Sequence, residues 1–446
     1  MSWMIDYDEV PLRRFHLRIG VAGTGGVFAD GFGLGIIGIA LTLATPALRL
    51  TSSWQGLLGG ASLAGLFLGA LLTGPVADRF GRRRIFASNM VLAALLSLLQ
   101  FAVTSGAQLL LLRLTIGFLL GTDYVVSKTL LTEFVPRRLR GRVLSLLSIA
   151  WAGGYACAYA VGFFLTQLGP DAWRWMLVTG AVPCLLIAPL RFGVPESPLW
   201  LIEHGRGERA AQIVRERLGG GVRLPLHLPR AVRVGGRWAQ LFGRRWRTRT
   251  LVACTFFTCQ VIPYFAVGTF VTQVMAALRL RGSYVGGLIY NLALLLGAIG
   301  GVLIIDRISR RCFLIGSFLT AAIAMSLLGL APSAAPGGTI VLFAIFAAVL
   351  SAASNLVYVY LPELFATDLR ASGIGLAVAA SRIGSAVSTF LLPVMVEAYG
   401  VRSALGACVA VLTIGAVVCY CWAPETRNLS LLVLDQGALE QGALRP

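Results

Sequence analysis

The chain is dominated by apolar stretches of about 20 residues that recur from one end to the other. A helix of that length rises ~30 Å, which is the thickness of the hydrocarbon core of a membrane. The mean hydropathy is +0.80. Only 13% of the 446 residues are charged, too few to cover the surface of a soluble protein of this length. The sequence therefore predicts an all-α membrane protein.

Twelve apolar stretches are long enough to cross the membrane as helices. The predicted spans are residues 16–43, 54–77, 85–104, 108–132, 142–168, 173–192, 249–275, 283–305, 312–331, 338–361, 373–398 and 401–423.

The basic residues fall mostly on one side of these spans. The formal net charge is +19, and thirty of the 38 lysine and arginine residues lie before the first span, after the last, in loops after even-numbered spans, or in the span ends next to these segments. Because basic loops stay on the cytoplasmic side, we expect both termini in the cytoplasm. The arginine-rich composition further suggests the inner membrane of a bacterium. The positive charge then reflects topology and contact with the lipid bilayer, and nucleic-acid binding is not expected.

Cysteine and histidine give no sign of a metal site or another cofactor. The eight cysteines lie in or beside the apolar spans, and the three histidines lie outside the spans or at the edge of the first, without ligand spacing. The sequence also shows no nucleophile with a base and no phosphate loop in a suitable setting, so we do not expect an enzyme.

Polar motifs repeat at a period of about 230 residues. Asp78 matches Asp306 at an offset of 228, and Glu133 matches Glu363 at an offset of 230. Two related halves are therefore expected.

The longest polar stretch separates these halves. We expect a six-helix bundle in residues 1–192, a cytoplasmic linker with short amphipathic helices in 193–248, and a second, pseudo-symmetric six-helix bundle with a short cytoplasmic tail in 249–446.

Four motifs in the loops resemble signatures of the major facilitator superfamily. They are "GPVADRFGRRRIF" after the second span, "EFVPRRLRGR" after the fourth, "PESPLWLIEHGR" after the sixth and "PETR" after the twelfth. The branch that they resemble most is that of the sugar-porter-like metabolite:proton symporters. The resemblance implies a secondary transporter, expected to be a monomer, with its substrate site between the two bundles near the middle of the membrane.

The same resemblance gives a gating role to charged residues at the cytoplasmic helix ends, where relatives form ion pairs that separate when the transporter opens. The alternative is a topology signal with tight turns. Weak exposed pairs can still bias an equilibrium between two states that differ little in free energy. The residues concerned are Asp78, Arg79, Arg82, Glu133 and Arg140 in the first half, and Asp306, Arg307, Glu363 and Arg370 in the second.

Two charged residues interrupt the fourth span. Asp123 lies ~15 Å deeper than Glu133, too far for its short side chain to reach water at the boundary. We expect Asp123 to carry a proton or contact substrate together with Ser127 one turn later, the alternative being a hydrogen bond to a neighbouring helix. Lys128 is the only lysine in the chain. Its ammonium either contacts substrate or a proton or extends toward the cytoplasm.

A third intramembrane acid, Asp30, lies in the first span in "FADGFGLGIIG". The stretch resembles a family motif with two acids three residues apart, but Gly33 replaces the second acid, which is often the protonation site in sugar porters. If transport is coupled to protons, we expect Asp30 or Asp123 to carry them, and Asp30 also to contact substrate.

Arg382 lies deep in the eleventh span, and its planar guanidinium suits either a substrate carboxylate or an acid of the other half. Gln260 and Asn355 are expected to line the cavity, because spans 1, 4, 7 and 10 line the pathway in this fold. The aromatic residues Trp151 and Tyr155 of the fifth span suit either packing or stacking on a planar ligand.

The predicted function is secondary active transport of a small organic solute by alternating access, coupled to protons. The solute is expected to be anionic or zwitterionic, with sugar-like compounds and aromatic acids both open. An exporter of the same fold is the alternative. A non-transporting nutrient sensor is less favoured, because residues 424–446 make a short tail.

Overall fold

The computed structural model describes residues 5–219, 222–223, 238–280, 282–305, 307–330, 336–365 and 367–426. The first half contains α1 (Arg14–Ala47), α2 (Ser52–Phe80), α3 (Arg82–Leu99), α4 (Gly106–Phe134), α5 (Arg137–Leu165), α6 (Ala172–Val178) and α7 (Ala181–Arg191). Short 3-10 turns cover Tyr7–Glu9, Gln100–Ala102 and Thr166–Leu168.

Three short helices follow: α8 (Pro198–Glu203), α9 (Gly207–Leu218) and α10 (Trp238–Leu241). The second half contains α11 (Arg247–Thr269), α12 (Val271–Ala277), α13 (Ser283–Ile304), α14 (Arg310–Leu330), α15 (Pro336–Ala353), α16 (Leu356–Glu363), α17 (Thr367–Tyr399) and α18 (Val401–Trp422). Two short strands, β1 (Ile5–Asp6) and β2 (Val222–Arg223), pair in parallel.

The prediction of an all-α membrane protein with twelve spans is confirmed. Within the described residues, eleven helices are long and apolar enough to cross a membrane, and a twelfth span forms when α15 and α16 are counted together. These two helices meet at an angle of 42°. Large apolar side chains such as Leu111, Leu186 and Leu330 are exposed on the outside of the bundle, where lipid would cover them.

Glycines let helices within and between the halves approach closely. Gly65 of α2 faces the backbone of α4 at Leu114, so a side chain there would strike the carbonyl oxygen. Gly56, also in α2, faces the carbonyl oxygen of Phe390 in α17, which belongs to the other half. Small residues allow such close packing where lipid provides no hydrophobic drive between helices.

The arginine-rich face is the end of the bundle with the α2–α3 turn, the α4–α5 turn and helices α8 to α10. At the opposite end the two halves are tightly joined. Tyr159 and Thr272 share a hydrogen bond of 2.5 Å between their hydroxyl oxygens, and Tyr284 donates to the Thr42 hydroxyl at 3.1 Å. Both bonds connect one half to the other. The described conformation is therefore closed at the end opposite the arginine-rich face.

Candidate substrate and proton site

A cavity of about 90 Å³ lies between the two halves. Its wall is mostly aromatic and aliphatic, with one acid, one arginine and three serines. The lining residues are Asp30, Leu34, Leu66, Leu120, Tyr124, Ser148, Trp151, Ala152, Phe257, Val261, Tyr264, Phe265, Ser351, Ser354, Val357, Tyr358 and Arg382. Binding sites for drug-sized ligands usually enclose ~300–1,000 Å³. In this conformation the cavity is therefore smaller than a usual ligand site and has room for only a few water molecules.

Asp30 is the one acidic residue of this wall. Its side chain is buried, with the residue 4% exposed, and its Oδ1 atom has no hydrogen-bond partner among the described residues. It lies on α1 one turn after Gly26, within electrostatic range of both Asp123 and Arg191. A buried carboxyl without a direct partner is costly, so a role for Asp30 beyond packing is expected.

Arg382 reaches the same cavity from α17. It is 8% exposed, and its Nε atom has no partner in the described part of the chain. Its guanidinium carbon lies 5.8, 6.0 and 5.9 Å from the ring centroids of Tyr124, Phe257 and Phe265. Aromatic faces stabilise a cation without neutralising it. Arg382 therefore offers hydrogen-bond donors to an anion in the cavity.

Lys128 lies beside the cavity and links the two halves. Its Nζ atom is 3.5 Å from the ring centroid of Tyr124 on its own helix and 4.6 Å from that of Tyr358 on α16. Both rings line the cavity. Among the described residues Lys128 forms no ion pair with a carboxylate. Two cations, Lys128 and Arg382, thus flank Tyr124 at the cavity wall.

Asp123 and Ser127 do not line the cavity in this conformation. Both Asp123 oxygens accept hydrogen bonds from Arg191, the last residue of α7, one of them at 2.9 Å from Nη2. Ser127 donates to the same carboxylate at 2.9 Å. The side chains of Asp123 and Arg191 are fully buried within the first half. In this conformation the Asp123 carboxylate is therefore hydrogen-bonded to a neighbouring helix, which was the alternative to a transport role. The transport role of Asp123 stays a prediction.

Arg191 also holds this region together beyond the ion pair. Its Nε donates to the Ala22 carbonyl and its Nη1 to the Phe86 carbonyl, each at 3.3 Å. Its guanidinium carbon lies 4.1 Å from the centroid of the Phe86 ring. Arg191 therefore connects α1, α3 and α4 with α7 inside the bundle.

Gln260 and Asn355 bond to backbone and do not line the cavity. Gln260 donates to the Leu350 carbonyl at 3.1 Å and to the Ser354 hydroxyl at 3.2 Å. Asn355 donates to the carbonyls of Ala298 and Ala352, each at 3.1 Å. The donors of both side chains are thus used within the second half, close to the break between α15 and α16.

In the first half, three of the five predicted gating residues form one cluster at the arginine-rich face. Arg82 pairs with Glu133 of α4 and with Asp78, 3.3 Å away. Glu196 accepts from the backbone nitrogen of Arg82 at 3.0 Å and so caps the start of α3. Arg79 is exposed and lies over the Phe80 ring. The side chain of Arg140 lies outside the described residues.

The second half repeats this arrangement. Arg310 lies 3.9 Å from Glu363, and Glu425 accepts from the backbone nitrogen of Arg310 at 3.1 Å, capping α14. Arg370 donates to the Pro362 carbonyl at 3.0 Å. Arg307 is exposed, and Asp306 lies outside the described residues. Both arginine–glutamate pairs join helices of the same half, so their gating role stays a prediction.

Two arginines that hold these networks together were not among the predicted site residues. Arg310 could have been found, because it lies 228 residues after Arg82, the same offset that relates Asp78 to Asp306. Arg191 ends an apolar span, a position that by itself indicates an arginine at the cytoplasmic boundary. Its side chain instead reaches back into the bundle, which position alone does not show.

The twelve-span fold, the repeated half and the cavity between the halves define a secondary transporter. Residues 20–437 match the family described as sugar (and other) transporter. The chain belongs to this family.

Relatives agree with this assignment. The inner membrane metabolite transport protein YgcS of Escherichia coli (strain K12) is 41% identical over 425 residues, which cover 95% of each chain. The niacin transporter NiaP of Acinetobacter baylyi is 27% identical and covers 88% of this chain and 90% of its own. The partially occluded inward-open xylose transporter XylE from E. coli superposes with a TM-score of 0.78 at 20% identity, covering 94% of this chain and all of that one. The protein is therefore a transporter of this family and not an enzyme.

Proposed function

We propose that this transporter carries a small organic anion with a flat ring, an aromatic carboxylate, together with protons. The observation that carries the proposal is Arg382, a buried guanidinium with a free donor that faces a cavity walled by aromatic rings. A guanidinium binds a carboxylate through two parallel hydrogen bonds, and aromatic walls accept a planar ring.

The same wall is less suited to a sugar. A sugar ring presents several hydroxyls that need donors and acceptors around the whole ligand, and unpaired groups on either side reduce affinity. Here the uncharged polar side chains of the wall are mainly the hydroxyls of Ser148, Ser351 and Ser354 and of tyrosines. Gln260 and Asn355 bond elsewhere. The relative NiaP, a niacin transporter, adds support, because niacin is itself a small aromatic carboxylic acid.

Asp30 is the proposed proton carrier. A carboxylate without a cation of its own is poorly tolerated in a closed apolar cavity. Asp30 therefore binds a proton before the cavity contracts and releases it when the cavity opens to the cytoplasm, the side that the basic loops indicate. Arg382 and Lys128 meanwhile hold the charge of the substrate. Coupling follows because the closed state excludes the bare carboxylate.

Ligand pairs that differ in one property test the substrate class. Purified protein is screened by thermal unfolding in detergent with nicotinate against nicotinamide, which lacks the carboxylate, and with benzoate against cyclohexanecarboxylate, which lacks the flat ring. We expect stabilisation by nicotinate or benzoate and little by either partner. Stabilisation by glucose or xylose, with none by the aromatic acids, would refute the proposal.

Two variants connect the ligand effect to the cavity. Arg382→Gln should lower the affinity for the aromatic acid by roughly 10-fold to 100-fold, the range for a hydrogen bond to a charged group. Arg402→Gln is the matched control, because that arginine is exposed and distant from the cavity. Uptake into proteoliposomes should then increase with an inward proton gradient. Equal losses in both variants would show that the effect is one of overall charge.

A further inference from the structure

A second, larger cavity lies at the arginine-rich face, outside the transport site. Its volume is about 1090 Å³, and it is enclosed by the α2–α3 turn, the segment after α7, and helices α8 and α9. Six arginines and two glutamates line it. The arginines are Arg79, Arg83, Arg84, Arg206, Arg209 and Arg217. The cavity is thus strongly basic.

Neither glutamate neutralises these arginines. Glu196 accepts hydrogen bonds from the backbone nitrogens of Arg82 and Arg83, at 3.0 and 3.2 Å. Glu216 accepts from the amide of Gln212 at 2.8 Å. Within the described residues none of the six lining arginines forms an ion pair. Their guanidinium groups are therefore available to an anion with several oxygen atoms, such as a phosphate group.

The surroundings of the cavity indicate that the phosphate belongs to a lipid. Phe80 at the end of α2 is 62% exposed and Phe192 just after α7 is 52% exposed, and both line the cavity. These rings lie where membrane spans end, next to the acyl-chain region. Helix α9 covers the other side, with Val214 and Leu218 buried beneath it. A phospholipid could place its headgroup among the arginines and its chains along the aromatic rings.

We propose that this cavity binds the headgroup of an anionic phospholipid and so ties α9 to the α2–α3 turn. The inference is independent of the transported substrate, since the cavity shares no residue with the transport site. Each arginine near an anionic lipid surface strengthens binding about fivefold, so removal of three should weaken it by roughly a hundredfold.

The test is a lipid titration of the full-length protein in detergent, followed by thermal unfolding. Dioleoylphosphatidylglycerol should raise the melting temperature, dioleoylphosphatidylcholine should not, and the R206Q/R209Q/R217Q variant should need far more phosphatidylglycerol for the same shift. The control variant R138Q/R244Q/R247Q removes the same charge from exposed positions outside the cavity and should respond like the unchanged protein.

Three results would overturn the proposal. They are equal responses of the two triple variants, equal stabilisation by both lipids, and stabilisation by free glycerol phosphate as strong as that by phosphatidylglycerol. Should the R206Q/R209Q/R217Q variant fail to fold, the R83Q/R84Q variant is tested instead, because it removes two arginines from the opposite wall of the cavity. An unchanged phosphatidylglycerol response in that variant would overturn the proposal equally.

Discussion

Asp30 and Asp123 are two buried acids within membrane-spanning helices of the first half, yet their surroundings differ completely. Asp123 accepts hydrogen bonds from Arg191 and Ser127 and is closed off within the first half. Asp30 lines the cavity between the halves, and its Oδ1 has no partner in the described chain. One carboxylate is balanced by a fixed cation, whereas the other is free to exchange a proton or meet a ligand.

The difference teaches that depth alone does not identify a transport residue. A buried ion pair is held in place because removal of either member leaves an uncompensated charge. An unpaired carboxyl beside a cavity has no such constraint, and its charge can change during the cycle. In this conformation Asp123 belongs to the framework of the first half and its transport role stays a prediction, whereas Asp30 is the proton carrier in our proposal.

The largest expected effect is that of Arg191→Gln. The substitution leaves the Asp123 carboxylate buried without its guanidinium, and we expect a loss of ~3–5 kcal/mol in the free energy of unfolding. Thermal and denaturant unfolding in detergent measure this loss. The double variant Asp123→Asn/Arg191→Gln removes both charges and should recover much of it.

Arg382→Gln provides the matched control, since Arg382 is also a buried arginine but has no carboxylate partner among the described residues. It should cost far less stability than Arg191→Gln. Equal destabilisation by the two substitutions would remove the distinction between a paired framework arginine and a ligand-binding one.

A smaller loss is expected from Gly26→Ala. A methyl group at Gly26 would lie 1.6 Å from Nη2 of Arg191 and 2.8 Å from Oδ2 of Asp123. The guanidinium cannot move aside without weakening the ion pair, so we expect a loss of ~1–3 kcal/mol. Gly33→Ala on the same helix is the control, because its nearest neighbour is 3.7 Å away. A similar melting temperature for both variants would show that Arg191 has room to shift.

The sequence was informative about the fold because span length and the repeat are local or periodic signals. Glu133 and Glu363, matched by their offset, occupy equivalent places in the two halves. The distinction between Asp30 and Asp123 was not accessible, because it depends on how a distant residue, Arg191, directs its side chain. Helix order and hydropathy carry no information about that direction.

The hydrogen-bond partners of neutral polar residues were likewise not predictable from the sequence. Gln260 lies on α11 and Asn355 between α15 and α16, but both amides donate to backbone carbonyls next to the bend instead of lining the cavity. The bend arises where Ser354 and Asn355 interrupt the helix. No sequence pattern specified which backbone carbonyls these two amides would meet.

Ser127→Ala should lower the free energy of unfolding by ~1.5 kcal/mol, the lower end of the range for one hydrogen bond to a charged group. The Asp123 carboxylate keeps Arg191 but loses the Ser127 hydroxyl. Ser385→Ala serves as the control, because Ser385 is equally buried but donates only to the Arg382 carbonyl in its own helix. If the two serine variants unfold alike, Ser127 contributes nothing specific to the framework.

The smallest effect on stability is expected from Asp30→Asn, less than ~0.5 kcal/mol, because the amide resembles a protonated carboxyl and no ion pair is lost. Its effect on transport should nevertheless be large. Uptake into proteoliposomes should no longer respond to an inward proton gradient, while exchange of labelled for unlabelled substrate without a gradient should continue. Asp123→Asn is the comparison, and it should instead lose stability by leaving Arg191 unpaired. If Asp30→Asn keeps its gradient-driven uptake, another group carries the proton. If it is destabilised as much as Asp123→Asn, Asp30 also belongs to the framework.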